Sequence, residues 1–549
     1  MSAMVKSGCR KHISAALSVL LILGLCTIAG SLGCPNGQTD HVVTIPDPEF
    51  EAAIRDSLNM PGGLIYASQL RAFVAIDCSG REIQDLTGIE YFTNLEELYL
   101  NDNEISDLSP LAGMTGLTGL YLAHNQIEDI SPLANLSGLT WLFAGQNQIS
   151  DISPLGGLAD LQNLSLSDNQ ISNLTALAGL NKMIALGLER NQISDLSSLE
   201  GLTNLRYLYL GRNDISDISP LTGLSNLSEL GLEENRISDI SPLTDLTGLT
   251  DLYLWDNEIG DLSPLAGLTS LRTLILAQNQ ISDVSPLANL AQLKTLVLGA
   301  NSISDVSPLS DLTGLETLIL AANDISDVSP LAGLTTLKEL QLLDNQIIDL
   351  SPLADLEELR TLSLISNRIS DLSPLVGLTK LEILSLSNNH IVDVSPLSGL
   401  DKLTALGLRD NQISDISNLA ELTNLTSLNL AGNLLADLSP LANLHKLEVL
   451  WLDHNQISHI STLAGLANLR ELYLDGNQIS DVSALEGLPR LAWVGLSGNQ
   501  ITDIKPLADN QGLSEGDEID LRGNPLSSES LNTYIPQLEA RGVTVLYGP

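Results

Sequence analysis

The chain has 549 residues, 44% of them apolar but only 3% aromatic, and a formal net charge of −42. A core so poor in rings argues against several unrelated globular domains and for many copies of one small unit packed from Leu, Ile, Val and Ala. The charge excludes nucleic acid as a partner and disfavours anionic membrane, since phosphates would meet a wall of their own sign; it favours cationic partners and keeps a long chain soluble.

Lys6, Arg10 and Lys11 precede an apolar run over 13–30, followed by Ser31, Leu32, Gly33 and Cys34. A basic start, an apolar stretch and small residues at its exit make residues 1–33 a secretory signal. Three endings fit. Ser31 and Gly33 suit an ordinary signal peptidase, Gly33-Cys34 resembles a lipoprotein cleavage box whose cysteine is lipidated, and the run is just long enough for a retained anchor. All three place the remainder outside the cytoplasm, in the cell envelope or the extracellular space. Cys9 and Cys26 fall in the signal, leaving Cys34 and Cys78. A disulfide between them suits an oxidising compartment. Cys78, however, holds a position occupied by Leu100 and Leu122 further on, which favours a buried thiol acting as a small hydrophobe.

Residues 34–44 read as a linker and 45–74 as an N-terminal cap. Asp47-Pro48 followed by Phe50, Ala53, Ile54 and Leu58 predicts a capped amphipathic helix. From 75 to 526 the chain repeats every 22 residues in about 21 copies, with Asn at nineteen positions from Asn103 to Asn499. Arg81 holds the Asn position in a degenerate first copy, and Asn524 follows a three-residue insertion in the last. In the copy around Asn103, Leu98 and Leu100 alternate with polar residues, the period of a strand with one buried face. Asn103 ends the strand, where its amide can both donate to and accept from the backbones of adjoining turns. Ser109-Pro110 predicts a short helical or 3₁₀ turn with Ser at the N-cap and Pro first. Pro stands there in fourteen copies; Ala176, Ser198, Asn418, Thr462 and Ala484 replace it elsewhere. Residues 527–549 read as a C-terminal cap: a helix over 528–541 kinked by Pro536, a stop at Gly542, and a last strand over 543–546.

The pattern Leu-x-x-Leu-x-Leu-x-x-Asn-x-Ile-x-Asp-(Ile/Leu/Val)-Ser-Pro-Leu resembles the 22-residue leucine-rich repeat of the bacterial internalins. Phe50 to Ile54 and Gly88 to Tyr91 look like the internalin cap and first repeat. The resemblance implies an α/β solenoid: a curved array with short parallel strands on the concave face, 3₁₀ or short helical turns on the convex face, a helical N-cap and an α/β C-cap. It also implies binding of a protein on the concave face. The chain departs from internalins after the repeats, where no immunoglobulin-like segment or wall-sorting pattern is read, so an envelope lipoprotein or secreted binder is expected. The alternative is a structural or adhesive envelope component without a single partner.

No catalytic residue is expected. No Ser/His/Asp order, phosphate loop or carboxylate pair stands apart from the repeat. His445, His454 and His459 lie near one another but lack the ligand spacing of a metal site, and no cofactor is expected. An Asp four residues after most of the Asn positions, from Asp107 to Asp503, reads as a bond to the turn backbone; a calcium-gathering carboxylate ladder is the alternative.

The residues six, four and two before each Asn point outward from the strand. All four Trp, Trp141, Trp255, Trp451 and Trp493, fall there, with Phe143, Tyr99, Tyr121, Tyr207, Tyr209, Tyr253 and Tyr473. They form one group from Tyr99 to Trp255 and another from Trp451 to Trp493, separated by Ile275, Val297, Ile319, Leu343 and Ile365. Exposed rings on a rigid surface are what binding hot spots are made of. The four around Tyr207, Tyr209, Tyr253 and Trp255 are expected to be the main contact. Acidic neighbours, among them Glu229, Glu233, Glu234, Asp251 and Asp256, favour a protein partner with a basic surface. The chain is expected to be monomeric, touching membrane only through an N-terminal lipid or anchor.

Overall fold

The computed structural model describes residues 40–549, in two compact units divided between Leu230 and Gly231. Residues 1–33, read above as a secretory signal, lie outside the described residues, as do Cys34 and most of the expected linker.

In the first unit, Asp47 opens α1 (Pro48–Leu58) by accepting from the backbone N–H groups of Glu49 and Phe50 at 2.9 and 3.0 Å. Asn59, left-handed at φ 50°, closes it. Phe50, Ala53 and Ile54 form the buried stripe that their spacing predicts. Before the helix, β1 (Val42–Val43) pairs antiparallel with β2 (Ile65–Tyr66), which leads into α2 (Ala67–Leu70). The linker reading did not anticipate that pairing. There follow β3 (Ala75–Asp77), β4 (Glu97–Tyr99), β5 (Gly119–Tyr121), β6 (Trp141–Phe143), β7 (Asn163–Ser165), β8 (Ala185–Gly187) and β9 (Tyr207–Tyr209). Each pairs in parallel with the next at an offset of one 22-residue repeat, as in Ala75↔Glu97 and Ser165↔Gly187.

The second unit repeats the scheme from Asp251–Tyr253 to Thr544–Leu546. In both units a short 3₁₀ turn, such as Ser109–Leu111 or Ser373–Leu375, brings the chain back between strands. The fold is a leucine-rich solenoid with a helical N-cap and an α/β C-cap. At the C-terminus the helix widens to a π turn over Ser530–Tyr534 and returns to α over Ile535–Glu539. Pro536, which lacks an N–H for the 4-residue ladder, sits where the two meet; the expected kink takes the form of this wide turn.

The core is a stack of aliphatic side chains. Leu98, Leu100, Ile105, Leu111 and Leu117 are fully buried, and their counterparts recur in every later repeat. Burying one such side chain contributes about 1.5–3 kcal/mol, but a single repeat presents both flat faces of its core to water, so stability comes from stacking. Cys78 takes a Leu position as a buried free thiol rather than half of a disulfide. Burial pushes its pKa up to about 12, which keeps it unreactive.

Asparagine amides satisfy the backbone where strands end. Asn103 Nδ2 donates to the carbonyls of Cys78 and Leu100, both at 3.0 Å, and its Oδ1 accepts from the N–H of Ile83 at 3.0 Å. The same three-way clamp recurs along both units, for example at Asn169 and Asn433. Serine does not cap the 3₁₀ turns as its position before Pro suggests. It is the first residue of the turn, and a core residue such as Leu108 precedes it. Asp107 supplies the acceptor instead, taking the Ser109 N–H on Oδ1 and the Ser109 hydroxyl on Oδ2, both at 2.8 Å. Asn173 keeps the bond to the Thr175 N–H without the charge. The serine backbone bond holds carboxyls such as Asp151, Asp239 and Asp393 below their ordinary pKa.

Candidate functional site

The outward side chains of each three-residue strand and its exit fall into rows, because in-register parallel strands place equivalent residues roughly 4.8 Å apart. That spacing suits stacked rings. In the first unit the middle row carries Tyr99, Tyr121 and Phe143 on β4, β5 and β6. Tyr99 and Tyr121 stack with centroids 4.3 Å apart and planes 10° apart; Tyr121 and Phe143 follow at 5.4 Å and 6°. Trp141 joins Phe143 at 6.0 Å and 28°. All four rings are half-buried.

Gly119 makes room for this stack: a Cβ there would lie 3.3 Å from the Tyr121 ring. The Tyr99 hydroxyl donates to Glu97 Oε2 at 2.7 Å. Burial, reinforced by that carboxylate, raises the Tyr99 pKa well above the usual tyrosine range, so it stays a neutral donor. Tyr121 is raised by burial too.

In the second unit Trp451 and Tyr473 stack at 5.7 Å and 11°, and Tyr473 meets Trp493 at 6.0 Å and 35°. Tyr473 donates to Glu471 Oε2 at 3.0 Å, and burial together with this bond pushes its pKa up to about 12. Asp453 stands beside these rings with its pKa raised by burial, and Asp475 accepts from the N–H and hydroxyl of Ser497 at 2.8 and 2.7 Å. The stack thus has an acidic rim.

The four residues expected to form the main contact do not stand exposed together. Tyr207 is 36% exposed, but Tyr209, Tyr253 and Trp255 are only 2%, 6% and 4% exposed. Alternation says which face a side chain leaves from, not whether it stands up or lies down. Beside Tyr253 and Trp255, the next strand offers Ile275 and Ala277, themselves 5% and 0% exposed, a floor low enough for rings to lie along the sheet. Val297 in the ring-free stretch is as buried as Ile275, whereas Ile319, Leu343 and Ile365 are half-buried.

The histidines show no shared centre. His445 Nδ1 lies 3.2 Å from the Gly465 carbonyl and His459 Nδ1 2.8 Å from the Ser458 hydroxyl. Among the described residues no group of three or more His, Cys, Asp or Glu is placed to hold a metal ion.

The leucine-rich repeat profile in two copies matches nine segments between residues 76 and 509, and a second leucine-rich repeat profile matches 423–479. The chain belongs to the leucine-rich repeat family. Proteins of this family serve as binding scaffolds. The repeat protein is 38% identical to an internalin of Listeria monocytogenes, over 62% of this chain and 96% of that one, with a TM-score of 0.54. Two further solved structures share the fold at low identity. A leucine-rich repeat protein of Leptospira interrogans is 22% identical over 76% of this chain and 99% of its own, with a TM-score of 0.57. The ectodomain of the Arabidopsis receptor kinase HAESA, solved with an N-terminally extended IDA peptide hormone, is 20% identical over 86% of this chain and 91% of its own, at 0.64. No curated protein matches the chain. Among the described residues no helix is long and apolar enough to cross a membrane.

Proposed function

We propose that this repeat protein is an exported binding module that holds a protein partner against its sheet face, with the stacked rings Tyr99, Tyr121, Phe143 and Trp141 as the anchor. The observation that carries the reading is the stack itself: Tyr99, Tyr121 and Phe143, half-buried in nearly parallel planes, with Trp141 packed on Phe143 at 28° and Glu97 bonded to Tyr99. Such a surface is rigid before binding, so little side-chain entropy is lost on contact, and half-buried rings have the character of hot spots. The Trp451, Tyr473 and Trp493 stack is a second contact of the same kind. The internalin likeness and the basic-apolar N-terminus support export; Cys34 is the proposed first residue of the mature chain, carrying lipid if the lipoprotein ending applies.

With the exported chain as bait against envelope and extracellular protein, Tyr121→Ala and Phe143→Ala are each expected to weaken capture of the specific partner by about 2 kcal/mol or more. Exchange of the exposed turn residue Gly223 for Ser is expected to leave capture unchanged, since a Cβ there meets nothing within 4 Å. Full retention of the partner by both ring variants, with loss in turn-face variants, overturns the sheet-face reading.

A further inference from the structure

Between residues 75 and 526, six large hydrophobic side chains stand exposed: Tyr207, Ile348, Val376, Ile383, Val392 and Leu434. Five of the six fall between 348 and 434. A single apolar residue on a surface needs no explanation, but such a concentration in one stretch does. Val376 lies on a turn and Ile383 on a strand, whereas Ile348, Val392 and Leu434 share one flank, the segment that runs from the ladder Asn to the 3₁₀ turn. They are 58%, 55% and 48% exposed. Ile348 and Val392 hold the place that Ser106, Ser150, Ser326 and Ser370 fill in other copies, and Leu434 the place of Gln346 and Gln412. The core does not ask for them, since their neighbours Ile347, Ile391 and Leu435 are already fully buried.

The three aliphatic residues sit two repeats apart, with Ser370 and Ser414 in the copies between. At one strand spacing per repeat that separates them by roughly 10 Å. Beside them runs a row of exposed carboxylates, one per repeat: Asp349, Asp371, Asp393, Asp415 and Asp437. Hydrogen bonds from the serine two residues on hold Asp349, Asp393 and Asp437 below the ordinary carboxylate pKa, so the row keeps its charge. Facing these five, the same flank carries Arg368, which points to Gln346 at 3.5 Å, and His390.

We infer that this flank seats a basic amphipathic helix of a protein partner, lying along the array with apolar residues on Ile348, Val392 and Leu434 and cationic ones over the aspartates. Residues seven apart on an α-helix are separated by about 10.5 Å, the spacing of the aliphatic contacts. Residues three or four apart rise by roughly 4.5–6 Å, close to the roughly 4.8 Å of the carboxylate row. An extended strand repeats a face about every 6.8 Å and matches neither. The acidic row selects the sign of the partner, and the aliphatic contacts supply the burial. The contact lies off the sheet face and does not depend on the ring stacks.

The test is a fluorescence-anisotropy titration of the full chain with a labelled helical peptide that carries Leu at positions seven apart and Lys beside them. A length of about 18 residues covers the four repeats at about 1.5 Å per residue. This peptide is expected to bind roughly 10-fold or more tightly than one with prolines inside it or one with Glu in place of Lys. Ile348→Ser combined with Val392→Ser installs the residue that other copies carry, and is expected to weaken binding roughly 10-fold while circular dichroism shows an unchanged fold. Asp371→Asn with Asp393→Asn keeps the turn bond, as Asn173 does, but removes two charges, and is expected to weaken binding roughly 5-fold. Tyr121→Ala is expected to bind the peptide as the wild type does. Equal binding of the three peptides, or wild-type affinity in the double Ser variant, overturns the flank as a helix seat. So does loss of the peptide in Tyr121→Ala, which would place it on the sheet face.

Discussion

Asn433→Ala is expected to lower the stability of the second unit by about 3 kcal/mol, because three buried backbone groups lose their partners at roughly 1–3 kcal/mol each, partly offset by relaxation. Asn433 is 4% exposed; its Nδ2 donates to Leu408 O at 2.9 Å and Leu430 O at 3.1 Å, and its Oδ1 accepts from Ile413 N at 3.0 Å. The partners belong to successive turns, so the loss is felt by neighbours as well as at the site. In a linear array that means a local opening before global unfolding. Urea denaturation by circular dichroism, with hydrogen exchange at Leu430 and Ile413, reads both effects. Gln412→Ala, an exposed neighbour with no side-chain bond to the turns, is the control. A midpoint for Asn433→Ala equal to that of the control means the amide is not clamping the turns.

The repeat was legible because the same physical problem is solved some twenty times in one notation. Leu at alternate positions, Asn at the strand exit and Pro in the turn fix strand, register and return path together, and the 22-residue period alone puts Tyr99, Tyr121 and Phe143 in one row. What the pattern hides is whatever varies between copies while keeping its geometry. The residue before each ladder Asn is left-handed, whether it is Asp102 at φ 56°, His124 at 58° or Ala322 at 54°. No single residue type marks that position, although Gly432, Gly476 and Gly498 hint at it. Serine before proline reads as a cap, yet the acceptor is the aspartate two residues earlier, since the turn begins at the serine itself.

Ring exposure was the least legible feature. Tyr209, Tyr253 and Trp255 leave the outward side of their strands and are nonetheless buried, while Tyr121 in an equivalent row is held half-open by a stack. The neighbours that differ lie one repeat away, 22 residues along the sequence: Tyr121 pairs with the ring of Phe143, Tyr253 with the aliphatic Ile275.

Asp47 is where the first unit is most exposed to acid. Its Oδ1 accepts from the N–H groups of Glu49 and Phe50 at 2.9 and 3.0 Å, and its Oδ2 from those of Gln84 and Asp85 at 2.8 and 3.0 Å. One carboxylate thus caps α1 and ties it to the first turn of the array. Asp47→Ala is expected to cost about 3 kcal/mol, combining a lost N-cap with two further unpaired N–H groups. Burial pushes this carboxyl's pKa up, but the four N–H bonds outweigh it and hold it below the ordinary value of 3.8. A folded-state pKa below the unfolded one means stability that is fully present above pH 4 or so and is lost as pH falls through the folded value. Asp47→Asn keeps an oxygen on α1 but has no second acceptor, so it is expected to be weaker at neutral pH and to lack this part of the acid dependence. Denaturation midpoints from pH 7 to pH 2, with hydrogen exchange at Phe50 and Gln84, separate the two contributions. If the Phe50 and Gln84 amides stay as protected in Asp47→Ala as in the wild type, the carboxylate is not what fastens the cap to the repeats.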